Sequence, residues 1–276
     1  MKTFKSFVGA LMLLTMGCST STDSTPKKSQ FVAEMKRATD HHSFSKPEEA
    51  VTTHLKWDAK VDFDRRQITA TATYTVQASA NANRLLLDSR DLNIHGVTVD
   101  GVESRFELGP TRPFLGQPLS IPVTSETQKV SVSYTTSPNA AAFLWVEGDA
   151  PFLFTQSQAI LARTWVPCQD SPGIRFTYEA HVEVPSDLMA LMSAVNPTEK
   201  SKNGHYDFVM EQPIPSYLLA LAVGDVEFRS VGEHTGVYAT SDLIDAAQFE
   251  FSEMEDMLVA AEELYGKYAW ERYDLL

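Results

Sequence analysis

The chain has 276 residues, of which 43% are hydrophobic and 21% charged, and this composition excludes disordered, collagen-like and disulfide-rich proteins. Its length is enough for one or two domains with a buried core. The formal net charge of −13 makes nucleic acid an unexpected partner, because binding to phosphates requires a basic surface.

The amino terminus has the three parts of a secretory signal. Lys2 and Lys5 precede the apolar run FVGALMLLTM, which is too short to span a bilayer alone, and Gly17-Cys18 follows. A cysteine after a small residue resembles the lipobox of bacterial lipoproteins, in which the thiol is acylated and the peptide is cut before it. We therefore expect a lipoprotein-type signal over residues 1–17 and lipidation at Cys18. An ordinary signal peptide with cleavage nearby is the alternative.

A signal of this type implies a location and a tether. We expect an exported protein in the cell envelope of a bacterium, lipid-anchored and facing the periplasm, with this anchor as its one contact with the membrane. Residues 18–43 are rich in Ser, Thr and Lys and show no sustained period, which predicts a flexible tether. The pair His41-His42 could bind a metal, but such a pair in a linker is usually solvated.

Alternating apolar and polar residues then predict β-strands. In QITATATYTVQ, residues 67–77, every second side chain is apolar, and KVSVSYTT (129–136) and IRFTYEAHVEVP (174–185) repeat the pattern. Turn signals rich in Gly, Pro, Asp and Asn separate these segments. The pattern predicts an antiparallel β domain.

Cys168 lies in a loop, and its thiol could be a nucleophile, a metal ligand or a packing group. A nucleophile needs a nearby base, and the nearest histidine in sequence is His181. An acylated Cys18 would leave Cys168 as the only thiol, and an unpaired thiol in an oxidising compartment is expected to be buried and inert. We therefore predict a packing role for Cys168.

Asp170 follows Cys168 by two residues in the same loop. A turn or ion-pair role is expected for it in preference to acid catalysis. Arg163 and Arg175 are both candidate partners, and the sequence does not choose between them.

The hydrophobic period changes towards the carboxyl end. YLLALAVGDVEFRSVG, from Tyr217, predicts one more strand, and apolar residues at every third or fourth position then predict one helix over 241–265. Ser241 or Asp242 can cap its start and Gly266 its end. The final RYDLL predicts the opening of another strand. The apolar face of the helix consists of Leu243, Ala247, Phe251, Met254, Leu258, Ala261 and Leu264.

This apolar face is expected to be buried against other residues. Apolar area left in water forfeits roughly 25 cal/mol per Å², so a lone helix with such a face is a poor terminus. We expect the face to be covered by a further part of the same protein or by a partner chain.

The stretch FTQSQAILARTWVPCQDSPGIRFTYEAHVEVPSDLMALMSA, residues 154–194, resembles the M1 family of zinc aminopeptidases. The branch it is most similar to is the leukotriene A hydrolase and aminopeptidase B type, which carries QxQAxxxRxxxPCQDxPxxxxTYxAxVxVPxxLxALMSA at this point. Further segments resemble that branch in order and spacing, so that the resemblance covers about residues 53–276.

The resemblance implies a mainly β fold. Residues 44–232 would form a saddle-like antiparallel β-sheet or sandwich, the amino-terminal domain of the family. Residues 233–276 would be the incomplete start of a thermolysin-like α+β catalytic domain, with one long helix and a strand. The chain would therefore be the amino-terminal portion of an aminopeptidase, with the remainder of the catalytic domain covering the helix.

The resemblance also implies zinc in the full-length protein and a peptide as its substrate. Zinc peptidases of this type need H-E-x-x-H and a further glutamate, which leave one zinc position for water. No two of the seven histidines have that spacing, none is followed by Glu, and the family's G-x-M-E-N loop is absent from the sequence. We predict that this chain binds no zinc, holds no catalytic residue and is inactive alone.

The QxQA segment implies a contribution to substrate binding. By position in the family, Gln158 would contact the free amine of the substrate or the adjacent backbone, and Gln156 and Ala159 would line the first side-chain pocket. A glutamine carbonyl can accept a hydrogen bond from an ammonium without adding charge. The alternative is that Gln156 and Gln158 are outward residues of a strand.

Two hypotheses follow from the sequence. In the first, the chain is the amino-terminal part of an exported zinc aminopeptidase that removes residues from peptide amino termini. In the second, it is a non-catalytic, membrane-tethered β module that binds peptides or a protein partner.

Overall fold

The structure is a computed structural model that describes residues 40–148 and 151–276. The signal, Cys18 and most of the tether lie outside the described residues. In the part described, no helix combines the length and the apolar composition needed to cross a membrane.

Strands dominate the described residues. The strands are β1 (Ala50–Asp62), β2 (Gln67–Ala78), β3 (Arg84–Ser89), β4 (Asn93–Val99), β5 (Val102–Ser104), β6 (Glu107–Leu108), β7 (Gln117–Pro122), β8 (Lys129–Thr135), β9 (Phe143–Val146), β10 (Phe152–Thr155), β11 (Arg175–Glu183), β12 (Met189–Met192), β13 (His205–Pro215), β14 (Leu221–Gly224), β15 (Glu227–Ser230), β16 (Thr235–Ala239) and β17 (Tyr273–Leu275). The α-helices are α1 (Ile244–Glu250) and α2 (Met254–Tyr265). Two short 3₁₀ turns cover Ala162–Thr164 and Ser216–Leu218.

The largest sheet has seven strands in the order β13-β11-β1-β2-β8-β4-β5. Within it, β1 and β11 run parallel and every other pair is antiparallel. The parallel pair departs from the predicted antiparallel arrangement, because β11 is more than a hundred residues downstream of β1 and reaches its edge by a long crossover. The other strand pairs of this sheet are antiparallel, as predicted.

Three smaller sheets complete the β structure. One has four strands in the order β12-β14-β10-β9, and two have three strands, β15-β16-β17 and β3-β7-β6. The three strands predicted from alternation are present as β2, β8 and β11. The mainly β fold class is therefore confirmed.

The core lies on one face of the seven-stranded sheet, and the opposite face meets solvent. In β2, the apolar positions from Ile68 to Val76 are buried, while the threonines between them are partly or fully exposed. The solvent face carries ion pairs between β1 and β11, such as Lys60 with Glu183 and Lys56 with Glu179. This is the period-two pattern of a sheet with one buried face.

The segment after Tyr217 differs from its prediction. Instead of one strand, it contains β14 and β15, which belong to different sheets. The chain bends at Asp225, an exposed residue whose carboxylate pairs with Lys200. The bend lets the apolar residues of β14 join the four-stranded sheet while β15 pairs with β16.

The single helix predicted over 241–265 is present as two helices. At Phe251 the backbone leaves helical geometry (φ −99°, ψ 18°), and Met254 N–H bonds to Phe251 C=O three residues back, in a tight turn. Neither Ser241 nor Asp242 caps α1, which follows Leu243 without a side-chain cap. Gly266, with φ 94°, ends α2 as predicted.

The predicted final strand is confirmed as β17, parallel to β16. Four of the predicted apolar positions, Leu243, Phe251, Ala261 and Leu264, are exposed, whereas Met254 is buried against Val237 of β16 and Ile244 of α1. The two helices therefore dock on the small sheet through a narrow part of their apolar surface.

Candidate functional site

The predicted substrate-binding residues lie directly after β10, which pairs with β14 on one side and β9 on the other. Gln156 donates its N–H to Ala142 C=O at 2.8 Å, which continues the direction of the strand. Side chains of Gln156, Gln158 and Ala159 are exposed. The structure therefore brings the three residues together on one short, solvent-facing loop.

Buried Ser157 holds this loop in place from below. Its hydroxyl donates to Leu219 C=O at 2.6 Å and accepts from Trp165 Nε1 at 3.1 Å. Its own C=O accepts from Leu161 N–H at 2.8 Å. Because the hydroxyl and the carbonyl of Ser157 are both bonded inside the protein, the backbone between Gln156 and Gln158 is anchored.

The two glutamines differ in their hydrogen bonds. Gln156 Oε1 accepts from Gln158 N–H at 3.1 Å, which fixes the first amide against the backbone of the second. The Gln158 side chain makes no hydrogen bond within the described part of the chain, and the peptide bond between Gln158 and Ala159 is cis. Because its side chain is exposed and makes no such bond, the Gln158 amide can meet a ligand.

An apolar surface adjoins these amides. Phe154 lies two residues before Gln156 on the same side of β10, and its partner in register on β9 is Leu144. Leu144 and Val146 are 58% and 44% exposed, and Phe154 is 36% exposed. An apolar strip that ends in two amides can receive an apolar side chain and hold the polar group attached to it.

Beneath the loop, the PCQD segment forms a buried charged network. Arg163 Nε donates to Asp170 Oδ2 at 2.9 Å, and its Nη1 lies 3.6 Å from Asp88 Oδ1. All three side chains are essentially inaccessible to solvent. Of the two partners considered for Asp170, the structure thus selects Arg163 and leaves Arg175 exposed.

Asp88 is the member of this network that sequence reasoning missed. Its carboxylate accepts from Asp170 N–H at 2.9 Å, from Phe44 N–H at 2.7 Å and from the Ser43 hydroxyl at 2.6 Å. Burial raises the pKa of Asp88, while Arg163 opposes that rise. The signal in the sequence was one acidic residue within the apolar run LLLDS.

The network also fixes the chain that enters the domain. Arg163 Nη2 donates to His42 C=O at 2.8 Å, so that the contacts of the domain begin at the end of the predicted tether. The His42 side chain is exposed and lies 3.6 Å from Asp40. His41 is exposed as well.

Cys168 is buried and pairs through its backbone with Asp88. Burial raises the pKa of its thiol, and the carboxylates of Asp170 and Asp88 add to that effect. A thiol held protonated and inaccessible is a poor nucleophile and a poor metal ligand. Its environment agrees with a packing role.

Among the residues that the structure describes, no group of three or more His, Cys, Asp or Glu side chains is placed to hold a metal ion. The donor set that catalytic zinc requires, three protein ligands around an open position, therefore has no counterpart in the described ranges. The residues in hand do not fit a zinc peptidase centre.

Comparison with known proteins places the fold and the loop in one family. A profile of the Peptidase M1 N-terminal domain matches residues 51–218. The leukotriene A-4 hydrolase of Xenopus laevis is 39% identical over 254 residues, which are 86% of this chain and 42% of that protein. Leucine aminopeptidase 2 of Candida albicans is 32% identical over 228 residues, 81% of this chain and 36% of the relative.

Solved structures agree with the sequence comparison. Yeast LTA4 hydrolase superposes with a TM-score of 0.82 at 26% identity, over 88% of this chain and 40% of that structure. An M1 zinc metallopeptidase from Deinococcus radiodurans shares the fold, with a TM-score of 0.69 at 21% identity, over 84% of this chain and 57% of its own. The chain thus spans about two fifths of the length of the curated relatives it matches. On the matched profile and on these identities, the chain belongs to the Peptidase M1 N-terminal domain family, and it corresponds to the amino-terminal portion of leukotriene A4 hydrolase and leucine aminopeptidase relatives.

Proposed function

We propose that this chain is the amino-terminal part of an exported, zinc-dependent aminopeptidase that removes amino-terminal residues from peptides. The observation that carries the proposal is 39% identity over 86% of the chain to a leukotriene A-4 hydrolase, with leucine aminopeptidases among the other relatives. Because the chain spans two fifths of those relatives, catalysis belongs to the whole protein. This part supplies a wall of the substrate cleft.

The loop after β10 is the part of that wall that holds the peptide's free amino end. Gln158 Oε1 accepts a hydrogen bond from the ammonium, while the Gln156 amide, fixed by Gln158 N–H, lines the first side-chain pocket with Ala159. Both amides are neutral, so they orient the ammonium without the desolvation penalty of a carboxylate. The exposed Phe154 and Leu144 favour an apolar first side chain.

In this proposal, zinc is bound by the remainder of the full-length protein and not by this chain. The described residues offer no fitting ligand set, and the sequence has no H-E-x-x-H. No catalytic step is therefore assigned to residues of this chain, and the chain alone is proposed to be inactive on peptides.

Export and anchoring form the second part of the proposal. The signal-like residues 1–17 and the cysteine that follows them support acylation at Cys18 and a periplasmic location. A Cys18→Ser variant would then move from the membrane fraction to the soluble fraction after cell disruption. Equal membrane retention of wild type and variant would exclude a lipid anchor at Cys18.

The decisive experiment begins downstream of Leu276. An open reading frame that encodes G-x-M-E-N and then H-E-x-x-H supports the proposal. A stop codon at 277 would instead favour the second hypothesis, a non-catalytic β module that binds peptides or a protein partner. With the frame in hand, hydrolysis of leucyl-p-nitroanilide is compared for the extended protein and for this chain alone. We expect activity in the first and none in the second.

The role of the loop is tested in the extended protein. A Gln158→Ala variant is expected to raise KM about tenfold, because one hydrogen bond to a charged group contributes about 1.5 kcal/mol. Gln77→Ala, an exposed glutamine on β2, is the matched control and should keep the wild-type KM. Equal KM values for the two variants would remove Gln158 from the site.

A further inference from the structure

Two histidines meet on the solvent face of the seven-stranded sheet. His181 lies on β11 and His205 on the neighbouring antiparallel β13, where the register places His181 opposite Asp207 and Glu183 opposite His205. The two imidazoles are therefore diagonal neighbours on one face. The Gln156–Ala159 loop follows a different sheet.

A chain of hydrogen bonds orients both rings. His181 Nδ1 lies 2.8 Å from Asp207 Oδ1, and because a carboxylate only accepts, the neutral His181 ring carries its proton on Nδ1. Its Nε2 then presents a lone pair, which lies 3.2 Å from His205 Nδ1. In the neutral tautomer of His205 that carries its proton on Nε2, Nδ1 also has a lone pair, so that both facing nitrogens can serve as ligands.

This arrangement matches two adjacent ligands of one metal ion. With Zn–N bonds of about 2.0–2.1 Å and tetrahedral angles, two ligand nitrogens lie about 3.3 Å apart, close to the observed separation. A metal-bound histidine almost always gives its other N–H to a carboxylate or carbonyl, and Asp207 already occupies that position. The structure thus contains two imidazole ligands and the carboxylate that supports one of them.

We propose that His181 and His205 form a surface site for one divalent transition-metal ion, Zn²⁺, Ni²⁺ or Cu²⁺, with Asp207 as the positioning residue. Imidazole nitrogens suit these three ions. The neutral tautomer of His205 that binds carries its one proton on Nε2, so the metal takes the lone pair at Nδ1, no proton is released and no co-reactant is needed. Water completes the coordination, because the described residues offer no third side-chain ligand.

The surroundings permit access and favour a cation. The side chain of His181 is 42% exposed and that of Asp207 is 84% exposed, so an ion reaches the pair directly from solvent. The adjacent Glu183 is paired with Lys60 at 2.6 Å, which leaves Asp207 as the unbalanced charge beside the histidines. The net charge of the chain is −13.

The test is calorimetric titration of the untagged chain with NiCl₂ and, separately, ZnCl₂ at neutral pH. Wild type should bind one ion saturably. His181→Ala and His205→Ala should each weaken binding at least tenfold, and Asp207→Asn about tenfold, since losing an outer-shell partner lowers metal affinity 10–100-fold. His95→Ala, an exposed histidine bonded to the Thr135 hydroxyl, is the matched control and should bind like wild type.

A second readout separates the site from the other histidines. Nickel should shift the imidazole NMR signals of His181 and His205 and leave those of His42 and His95 unchanged. Wild-type affinity in both His181→Ala and His205→Ala, or no saturable binding in wild type, would overturn the proposal. Wild-type affinity in Asp207→Asn alone would remove the positioning role and contradict that part of it.

Discussion

Arg163 is a buried charged residue that connects separate parts of this domain. Its guanidinium contacts the carboxylates of Asp170 and Asp88 and the backbone of His42. A buried ion pair is weak support for stability in itself, since desolvation offsets most of the attraction. Removing Arg163 alone is expected to lower stability strongly, because the two carboxylates would remain buried beside each other without a cation.

Replacing Arg163 with Ala is expected to lower the free energy of unfolding by about 3–5 kcal/mol, the range for breaking a buried pair. Urea denaturation followed by tryptophan fluorescence measures the change. Arg175→Ala, the exposed arginine that the sequence left as the other candidate partner, is the control and should change stability by about 0.5 kcal/mol or less. Similar losses for the two variants would contradict the assignment of Arg163 as the partner.

The sequence predicted part of this residue-scale picture. The sequence predicts a turn or ion-pair role for Asp170, with Arg163 and Arg175 as its two candidate partners. Asp88 and His42 were not recognised, since they lie 82 and 121 residues from their partners in the network. Contacts over such distances depend on strand order, which local patterns do not encode.

At the scale of elements, Glu255 fixes the position of α2. Its carboxylate accepts from the Thr235 hydroxyl at 2.7 Å and from His234 N–H at 3.1 Å, and it lies 3.0 Å from His234 Nδ1. Burial raises the pKa of Glu255, but these hydrogen bonds outweigh burial and hold the pKa below its ordinary value. The first turn of α2 is thereby tied to the start of β16.

Glu255→Gln is expected to weaken this attachment by about 1 kcal/mol, the typical net contribution of a hydrogen bond. Hydrogen exchange of the α2 amides at neutral pH should then become about fivefold faster. Asp256→Asn removes the same charge from the same turn but has no bond to β16, so it controls for the helix dipole and should change exchange less.

The pH dependence of this attachment has a definite sign. Because the folded pKa of Glu255 is lowered, its contribution is complete above the unfolded value of 4.5 and is lost as the pH falls through the folded pKa. The stability difference between wild type and Glu255→Gln should therefore shrink as the pH falls from 4.5 through the lowered folded pKa. A difference that stays constant over this interval would show that the carboxylate charge is not involved.

Helices and strands could be predicted from the sequence where one hydrophobic period dominates. β2, β8 and β11 follow strict alternation, and Gly266 ends α2, because these signals are local. The break at Phe251 was missed, since the helical spacing of apolar residues continues through it while the backbone turns to bring Glu255 onto β16. The division between β14 and β15 was missed because only two residues separate the two strands.

At the scale of the molecule, two surfaces are more apolar than a solvated surface requires. Phe249, Leu264 and Met257 on the two helices are 82%, 75% and 65% exposed, and the outer side of β9 and β10 exposes Leu144 and Phe154. Large apolar side chains exposed on one element or on neighbouring strands are typical of interaction sites. Both surfaces agree with the proposal that the rest of an aminopeptidase packs against this part.

A Phe249→Ser, Leu264→Ser double variant of this chain is expected to bind less of the dye anilinonaphthalene sulfonate and to self-associate less than wild type. Both side chains are mostly in water, so the changes leave the core intact and the thermal midpoint should shift by about 2 °C or less. Sedimentation velocity and dye fluorescence measure the two effects.

Met254→Ala provides the contrast, because Met254 is 6% exposed and belongs to the small cluster with Val237 and Ile244. Truncating it should lower stability by about 2 kcal/mol or more through the cavity it leaves, without reducing dye binding. Were the double variant as destabilised as Met254→Ala, Phe249 and Leu264 would be packing within the chain, and the helices would have no free apolar face. If instead its dye binding and self-association fall at unchanged stability, the exposed face is available for the partner domain that the proposed function requires.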